Sequence, residues 1–226
     1  MTDPARVVRA VVVALVVGLG LGFLTQHLQA HLPGNWNTLA NSGAVWVIFA
    51  FMVTAGLRLP AGWSALLGFL TLMSALTGYY VSARFIDDVT SSASTMAVWL
   101  VAAIVGGPVF GVAGSWWEAG GAVGSTGSWW STGGESQRSE TRLWHVSRPV
   151  VAVALVSAVL LAEGIYLLWH VDNKHTSGRV EVVFAIFAPI SLSHTTRDRL
   201  TGFLLLLPLA LLGIAFYGLF DVLVAS

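Results

Sequence analysis

Residues 149–170 read PVVAVALVSAVLLAEGIYLLWH, and this stretch decides the class of fold. It contains 22 residues. Because an α-helix rises ~1.5 Å per residue, the stretch is long enough to cross a ~30 Å hydrocarbon core. Glu163 is its one carboxyl group. A charge at that depth costs ~2.5–3.5 kcal/mol on insertion scales, so we expect Glu163 to face other helices or a wet cavity rather than lipid.

The whole chain is too apolar for a water-soluble domain. Of its 226 residues, 56% are hydrophobic and only 10% are charged, with a mean hydropathy of +0.78. Soluble domains carry about 25% charged residues. The net charge is zero, which gives no argument for a nucleic-acid partner, and the absence of cysteine excludes disulfides and thiol nucleophiles. We therefore predict an all-α integral membrane helical bundle, a single domain over residues 1–226, with the lipid bilayer as its partner.

Seven apolar stretches are candidate membrane spans. They cover residues 7–28, 39–57, 61–83, 95–117, 149–170, 180–193 and 200–222. The sixth has only 14 residues and would reach ~21 Å, which is short of the hydrocarbon core. Two topologies therefore stay open: seven transmembrane helices, or six with residues 180–193 as a short half-buried segment.

The distribution of arginine and lysine favours seven spans, because these residues accumulate on the cytoplasmic side. If residues 180–193 cross the membrane, eight basic residues lie on one side and three on the other; otherwise the counts are six and five. The more asymmetric partition predicts a multi-pass protein with a cytoplasmic N-terminus. One lysine against ten arginines is typical of a GC-rich bacterial genome, so we expect a bacterial plasma membrane.

Residues 118–147 form the longest polar stretch and are predicted to be a flexible cytoplasmic loop. An internal repeat overlaps its start: GSWWEAGG at 114–121 and GSWWSTGG at 127–134 match at six of eight positions. A slipped duplication explains the repeat most simply. Its glycine and serine residues predict flexibility, and its tryptophans are typical of lipid interfaces. The alternative is an aromatic recognition loop.

The seven-span topology places most polar residues of the spans at the outer end of the bundle. We predict there an outward-facing polar pocket, floored by Glu163, that binds or transports a small solute. Its candidate ligand-binding residues are Asn41, Ser42, Trp46, Tyr79, Glu163, Tyr166 and Glu181. A structural alternative stays open for Glu163, which as a neutral acid could bond to Asn41, Tyr79 or a backbone carbonyl. For Asn41 and Ser42 the alternative is a helix cap.

Metal and enzyme signatures are weak in this sequence. His27 and His31 are spaced i and i+4, and the predicted topology puts His170, Asp172 and His175 on the same side, a set that could suit zinc. Histidines are ordinary at membrane interfaces, so we predict no metal site and no cofactor. The chain lacks G-x-S-x-G, H-E-x-x-H and Walker motifs, so we predict that it is not an enzyme and name no catalytic residue.

Glycines support a rival function. Gly18 and Gly22 form a small-xxx-small pair, which favours close helix packing. A chain of this size without clear inverted repeats could be a non-transporting structural or assembly protein, present as a homo-oligomer or beside a membrane partner subunit. An intramembrane enzyme is a third reading, which would need a second catalytic group near Glu163.

Several patches together resemble a known family. They are LANS at 39–42 with Trp46, GGPVFG at 106–111 followed by Trp116 and Trp117, and AEGIY at 162–166. In these patches the chain resembles a family of small polytopic bacterial membrane proteins that is classified as a domain of unknown function. The resemblance covers most of the chain except the duplicated loop. It implies a membrane bundle and names no substrate.

Overall fold

A computed structural model describes residues 3–125, 146–171, 173–193 and 195–225, and every regular element in these ranges is an α-helix. The prediction of an all-α bundle is confirmed. The helices are α1 (Pro4–His31), α2 (Asn35–Ala40), α3 (Gly43–Leu57), α4 (Ala61–Phe85), α5 (Ala93–Ser125), α6 (Arg148–His170), α7 (His175–Leu192) and α8 (Thr196–Ala225).

Six stretches of the described chain are long and apolar enough to cross a membrane. They are Pro4–His31, Asn35–Leu57, Ala61–Phe85, Ala93–Ala119, Arg148–His170 and Thr196–Leu223. The helices α2 and α3 together make up the second of these. The helix α7 is not among them, in agreement with the shortness of the sixth apolar stretch in the sequence.

The bundle has two ends, and contacts between different helices identify each of them. At one, which we call the Glu163 end, Ser42 before α3 donates a hydrogen bond to Glu163 in α6. At the other, which we call the Arg58 end, Arg58 after α3 forms an ion pair with Glu118 in α5, with an N–O distance of 3.0 Å. Arg6 near the start of α1 also lies there and donates to the Arg58 carbonyl over 2.8 Å.

The helix α7 connects these two ends. Near its start, the Ser177 hydroxyl donates to the Asn35 carbonyl at the Glu163 end, over 2.6 Å. At its last residue, the Leu192 carbonyl accepts from the Trp117 indole at the Arg58 end, over 3.3 Å. Its 18 residues extend ~27 Å at ~1.5 Å per residue. Within the described residues the chain therefore passes from end to end seven times, α2 and α3 counting as one pass.

Close glycine contacts hold α4 between its neighbours. A Cβ added at Gly22 of α1 would lie 1.9 Å from the Ala75 carbonyl oxygen of α4, and one at Gly18 would lie 2.0 Å from the Ser74 hydroxyl. Seven residues before Ala75, α4 packs equally closely on α5, where a Cβ at Gly68 would lie 2.1 Å from the Gly107 carbonyl. The close helix packing predicted from Gly18 and Gly22 is therefore present.

Two predicted boundaries are wrong. The predicted loop at 118–147 begins too early, because α5 continues to Ser125 and the first repeat copy at 114–121 is helical. The Arg58–Glu118 ion pair and the Trp117–Leu192 hydrogen bond fasten this part of α5. The second copy, at 127–134, lies outside the described residues. The predicted span 39–57 is also not one helix, because it is broken between Ala40 and Gly43.

Candidate functional site

The break in the second pass is the centre of the candidate site. Helix α2 ends at Ala40, and α3 begins at Gly43. Between them Ser42 is extended, with φ −71° and ψ 130°, and its hydroxyl accepts from the Val45 N–H over 3.3 Å. A helix start leaves its first backbone N–H groups without intrahelical partners, and it carries a partial positive charge. Inside an apolar bundle, these N–H groups need a hydrogen-bond acceptor from elsewhere in the chain.

Glu163 of α6 supplies that acceptor. Its Oε1 accepts from the Gly43 N–H over 3.0 Å, and its Oε2 accepts from the Ala44 N–H over 2.6 Å and from the Ser42 hydroxyl over 3.0 Å. The side chain of Glu163 is buried, with 6% of its surface exposed. Hydrogen bonds from a helix N-terminus to a carboxylate are charge-assisted and strong. Glu163 is therefore a clamp that joins α6 to the break.

These partners differ from the predicted structural role of Glu163. The sequence suggested a neutral acid bonded to Asn41, Tyr79 or a carbonyl, whereas the observed partners are one hydroxyl and two backbone N–H groups. The difference arises because an apolar span was expected to be a continuous helix, in which the N–H groups of Gly43 and Ala44 would already be bonded. The predicted capping role of Ser42 is present in the geometry.

Tyrosines of α6 and α8 extend the site on one side. The Tyr217 ring lies beside Glu163, and a Cβ added at Gly43 would come within 3.3 Å of its hydroxyl. Tyr217 stacks on Tyr166 with a centroid distance of 5.0 Å, and the Tyr166 hydroxyl donates to Asp221 over 2.6 Å. Tyr166 therefore contacts α8 through both its hydroxyl and its ring.

Glu181 of α7 is the second buried carboxyl group at this end. Only 2% of its surface is exposed, and within the described structure neither of its oxygens has a hydrogen-bond partner. It lies near enough to Glu163 for their charges to interact. A close contact brings α7 to this position, because a Cβ added at Gly178 would lie 2.7 Å from the Gly164 carbonyl of α6.

A small polar pocket lies next to the break, with a volume of about 100 Å³. Its lining residues are Asn41, Gly43, Trp46, Leu76, Tyr79, Tyr80, Ser91, Thr95 and Trp99. The Trp46 ring centroid lies 5.9 Å from that of Tyr79 and 6.4 Å from that of Trp99. The buried Trp46 indole N–H has no hydrogen-bond partner among the described residues, while the Tyr79 hydroxyl donates to Gln29 over 2.8 Å.

A larger apolar groove adjoins this pocket. Its volume is about 470 Å³, and residues of α3, α4, α5, α6 and α8 line it, among them Val47, Leu72, Phe110, Val159 and Phe216. The pocket and the groove share four wall residues: Gly43, Trp46, Leu76 and Trp99. The two spaces are therefore neighbours at the start of α3.

The predicted site residues divide into three groups. The first group, which lines the polar pocket, is Asn41, Trp46 and Tyr79. The second is the clamp, formed by Ser42 and Glu163. The third is Tyr166, which contacts α8, and Glu181, which lies near Glu163. Sequence reasoning did not select Trp99, Thr95, Ser91, Tyr80 or Tyr217. The signal that would find them is the one used for the others, applied to every aromatic and hydroxyl residue at the same predicted end.

The histidine pair does not assemble a metal centre in the described part of the chain. The rings of His27 and His31 are close, with centroids 4.2 Å apart, but the His31 Nδ1 lies 2.8 Å from the His27 carbonyl oxygen. Among the described residues no group of three or more histidine, aspartate or glutamate side chains could hold a metal ion. Asp172 lies outside these residues.

Comparison with known proteins gives one match. No curated protein matches the chain, and no solved structure matches it. Residues 1–222 match a family of unknown function, DUF6518, which confirms the resemblance to an uncharacterised family. The match extends over nearly all of the chain, including both sides of the broken second pass and the helices that surround it. The chain therefore belongs to DUF6518, a family of unknown function.

Proposed function

We propose that this chain is a multi-pass protein of the bacterial plasma membrane that binds an amphiphilic small molecule at its outward-facing end. Six apolar helices long enough to span a bilayer support the membrane assignment. The orientation rests on basic residues: Arg6, Arg58 and Arg148 lie together at the Arg58 end, which we assign to the cytoplasm.

The polar pocket would hold the head of this molecule. Its volume of about 100 Å³ is less than a quarter of the groove's 470 Å³, so it suits a small head group and not a chain. The Trp46 indole N–H needs an acceptor, and Asn41, Ser91 and Thr95 offer further hydrogen-bonding groups. Trp46, Tyr79 and the neighbouring aromatic rings would pack around the head.

The apolar groove would hold the tail. Its volume of about 470 Å³ is within the ~300–1,000 Å³ of ordinary ligand pockets, and its lining gives water almost no hydrogen-bonding partner. The observation that carries the proposal is the wall shared by pocket and groove, at Gly43, Trp46, Leu76 and Trp99. A ligand with a small polar head and an apolar chain fills both spaces, whereas a purely polar solute fills only the smaller one.

This proposal changes the role first expected of Glu163. The three hydrogen bonds of its carboxylate hold the start of α3. Glu163 would therefore fix the shape of the pocket from behind instead of contacting the ligand. We propose ligand binding and not passage of a solute past Glu163.

A structural role is the second candidate function, and the same clamp favours it. An acid that joins α6 to the break in the second pass stabilises the bundle whether or not a ligand binds. In that case the pocket and groove would be packing defects filled by bulk lipid. The two functions differ in whether one molecule is bound specifically.

Native mass spectrometry of the detergent-purified protein tests the proposal. We expect a stoichiometric adduct when a long-chain fatty acid is added, because its carboxyl head is small enough for the polar pocket. Ala102→Phe, which fills the groove, should remove it. The matched control is Leu204→Phe on the outer face of α8, where 72% of Leu204 is exposed; this variant should keep the adduct. Equal adducts in the two variants, or none in the wild type, would refute amphiphile binding and leave the structural role.

A further inference from the structure

Glu181 is a buried acid whose charge has no visible counterpart. Both of its carboxyl oxygens are fully buried, and within the described residues neither accepts a hydrogen bond. Leaving an unpaired carboxylate inside an apolar bundle is strongly unfavourable. Protonation or a bound cation would neutralise this carboxylate and remove that cost.

The groups that face Glu181 do not supply a positive charge. Helix α6 presents Glu163, α3 presents the Ser42 hydroxyl, and α8 presents the Tyr217 hydroxyl. One turn back on α7 itself, Ser177 is bonded to the Asn35 carbonyl. Among these described neighbours the titratable groups are a carboxyl and a phenol, and none is a base.

The neighbouring carboxyl group, Glu163, adds a second acid without adding a positive charge. The N–H groups of Gly43 and Ala44 and the Ser42 hydroxyl all point at Glu163, so the positive end of α3 already has its anion. Two carboxyl groups therefore share one set of donors. Their oxygens, with the Ser42 and Tyr217 hydroxyls, form a group of hard ligands suited to a small cation.

The broken second pass is the kind of backbone where such cations bind in membrane proteins. Interrupted helices expose charged ends and unpaired carbonyls inside a bundle, and they form sites for coupling ions in transporters. Here α2 ends at Ala40 and α3 begins at Gly43, directly beside Glu163.

We propose that Glu163 and Glu181 together hold one exchangeable monovalent cation, a proton or a sodium ion, at this break. The cation would neutralise the second carboxylate and allow α7 to pack on α6 at Gly178 and Gly164. This site does not depend on amphiphile binding, because neither acid lines the pocket or the groove.

Thermal unfolding of the full-length protein in detergent tests the site and distinguishes the two cations. In the first arm, NaCl replaces choline chloride at constant pH and ionic strength. A bound sodium ion should raise the Tm of the wild type until the site saturates, because a ligand that binds only the folded state stabilises it. In the second arm, pH varies without sodium. A bound proton should make the Tm fall as pH rises, since the stability it provides is present at low pH and lost at high pH.

Glu181→Gln is the decisive variant, because it keeps the shape of the side chain without needing a counter-charge. We expect it to abolish the sodium dependence, or to remove the part of the pH dependence that only the wild type shows. Glu118→Gln at the Arg58 end is the matched control and should behave as the wild type does.

Infrared spectra of the wild type give a second readout, because a bound proton produces a carboxylic-acid carbonyl band that is lost in Glu181→Gln. Identical sodium and pH responses in the wild type and Glu181→Gln would overturn the proposal.

Discussion

Removing the Glu163 carboxylate is the strongest test of the clamp. In Glu163→Ala the Ser42 hydroxyl can turn to another acceptor, whereas the Gly43 and Ala44 N–H groups are fixed by the backbone. Each buried donor left unsatisfied costs about 1–3 kcal/mol. Two such donors predict a loss of about 2–6 kcal/mol in the free energy of unfolding, which is a large part of the stability of a typical domain.

Glu118→Ala provides the matched control for this loss, because it deletes the same side chain from a partly exposed site. Glu118 is paired with Arg58, and their side chains are 24% and 69% exposed. Surface ion pairs contribute about 0–1 kcal/mol. Reversible unfolding in mixed micelles, followed by circular dichroism, measures both variants. The clamp would be refuted if Glu163→Ala lost no more stability than Glu118→Ala.

Two further predictions concern packing and orientation. Gly22→Ala should lose about 1–3 kcal/mol, because its Cβ would overlap the Ala75 carbonyl, whereas Gly20→Ala, with nothing within 4 Å, should be neutral or slightly stabilising in the same unfolding assay. Because the chain has no cysteine, a single introduced one reports its side of the membrane. A membrane-impermeant maleimide should label Val89→Cys in intact cells and Arg148→Cys only after permeabilisation; the reverse pattern would contradict the orientation.

The bundle was predictable because composition and charge are distributed over the whole chain. The low charge content predicted a helical bundle, and the described residues are all-α with six helices long and apolar enough to cross a membrane. The predicted path also includes the short α7, which is not among those six. The same path brought Asn41, Trp46 and Tyr79 to one end, where they line one pocket.

The break in the second pass was not predictable from hydropathy. The mean hydropathy over residues 39–57 is that of one apolar segment and gives no sign of the break. Ser42 followed by Gly43 is equally typical of a helix cap at the membrane surface. The partner that stabilises the break, Glu163, is 121 residues further along the chain. A long-range hydrogen bond of this kind leaves no local pattern in the sequence.

For α5 the sequence predicted a loop where the structure has a helix. Glycine and serine in residues 118–125 indicate a flexible segment when they are considered alone. Contacts from two other parts of the chain, Arg58 with Glu118 and Leu192 with Trp117, hold the preceding turn in place. Tertiary contacts therefore hold α5 at Trp117 and Glu118, where composition alone predicts the start of a loop.

The separation of Ser42 and Glu163 along the chain has a consequence for biosynthesis. A ribosome makes the second pass long before it reaches α6, so the start of α3 is made without its carboxylate. During that interval, water must satisfy the Gly43 and Ala44 amides. The second pass therefore reaches its final form only after α6 is made, and a chain truncated before Glu163 should be degraded by quality-control proteases sooner than the full chain.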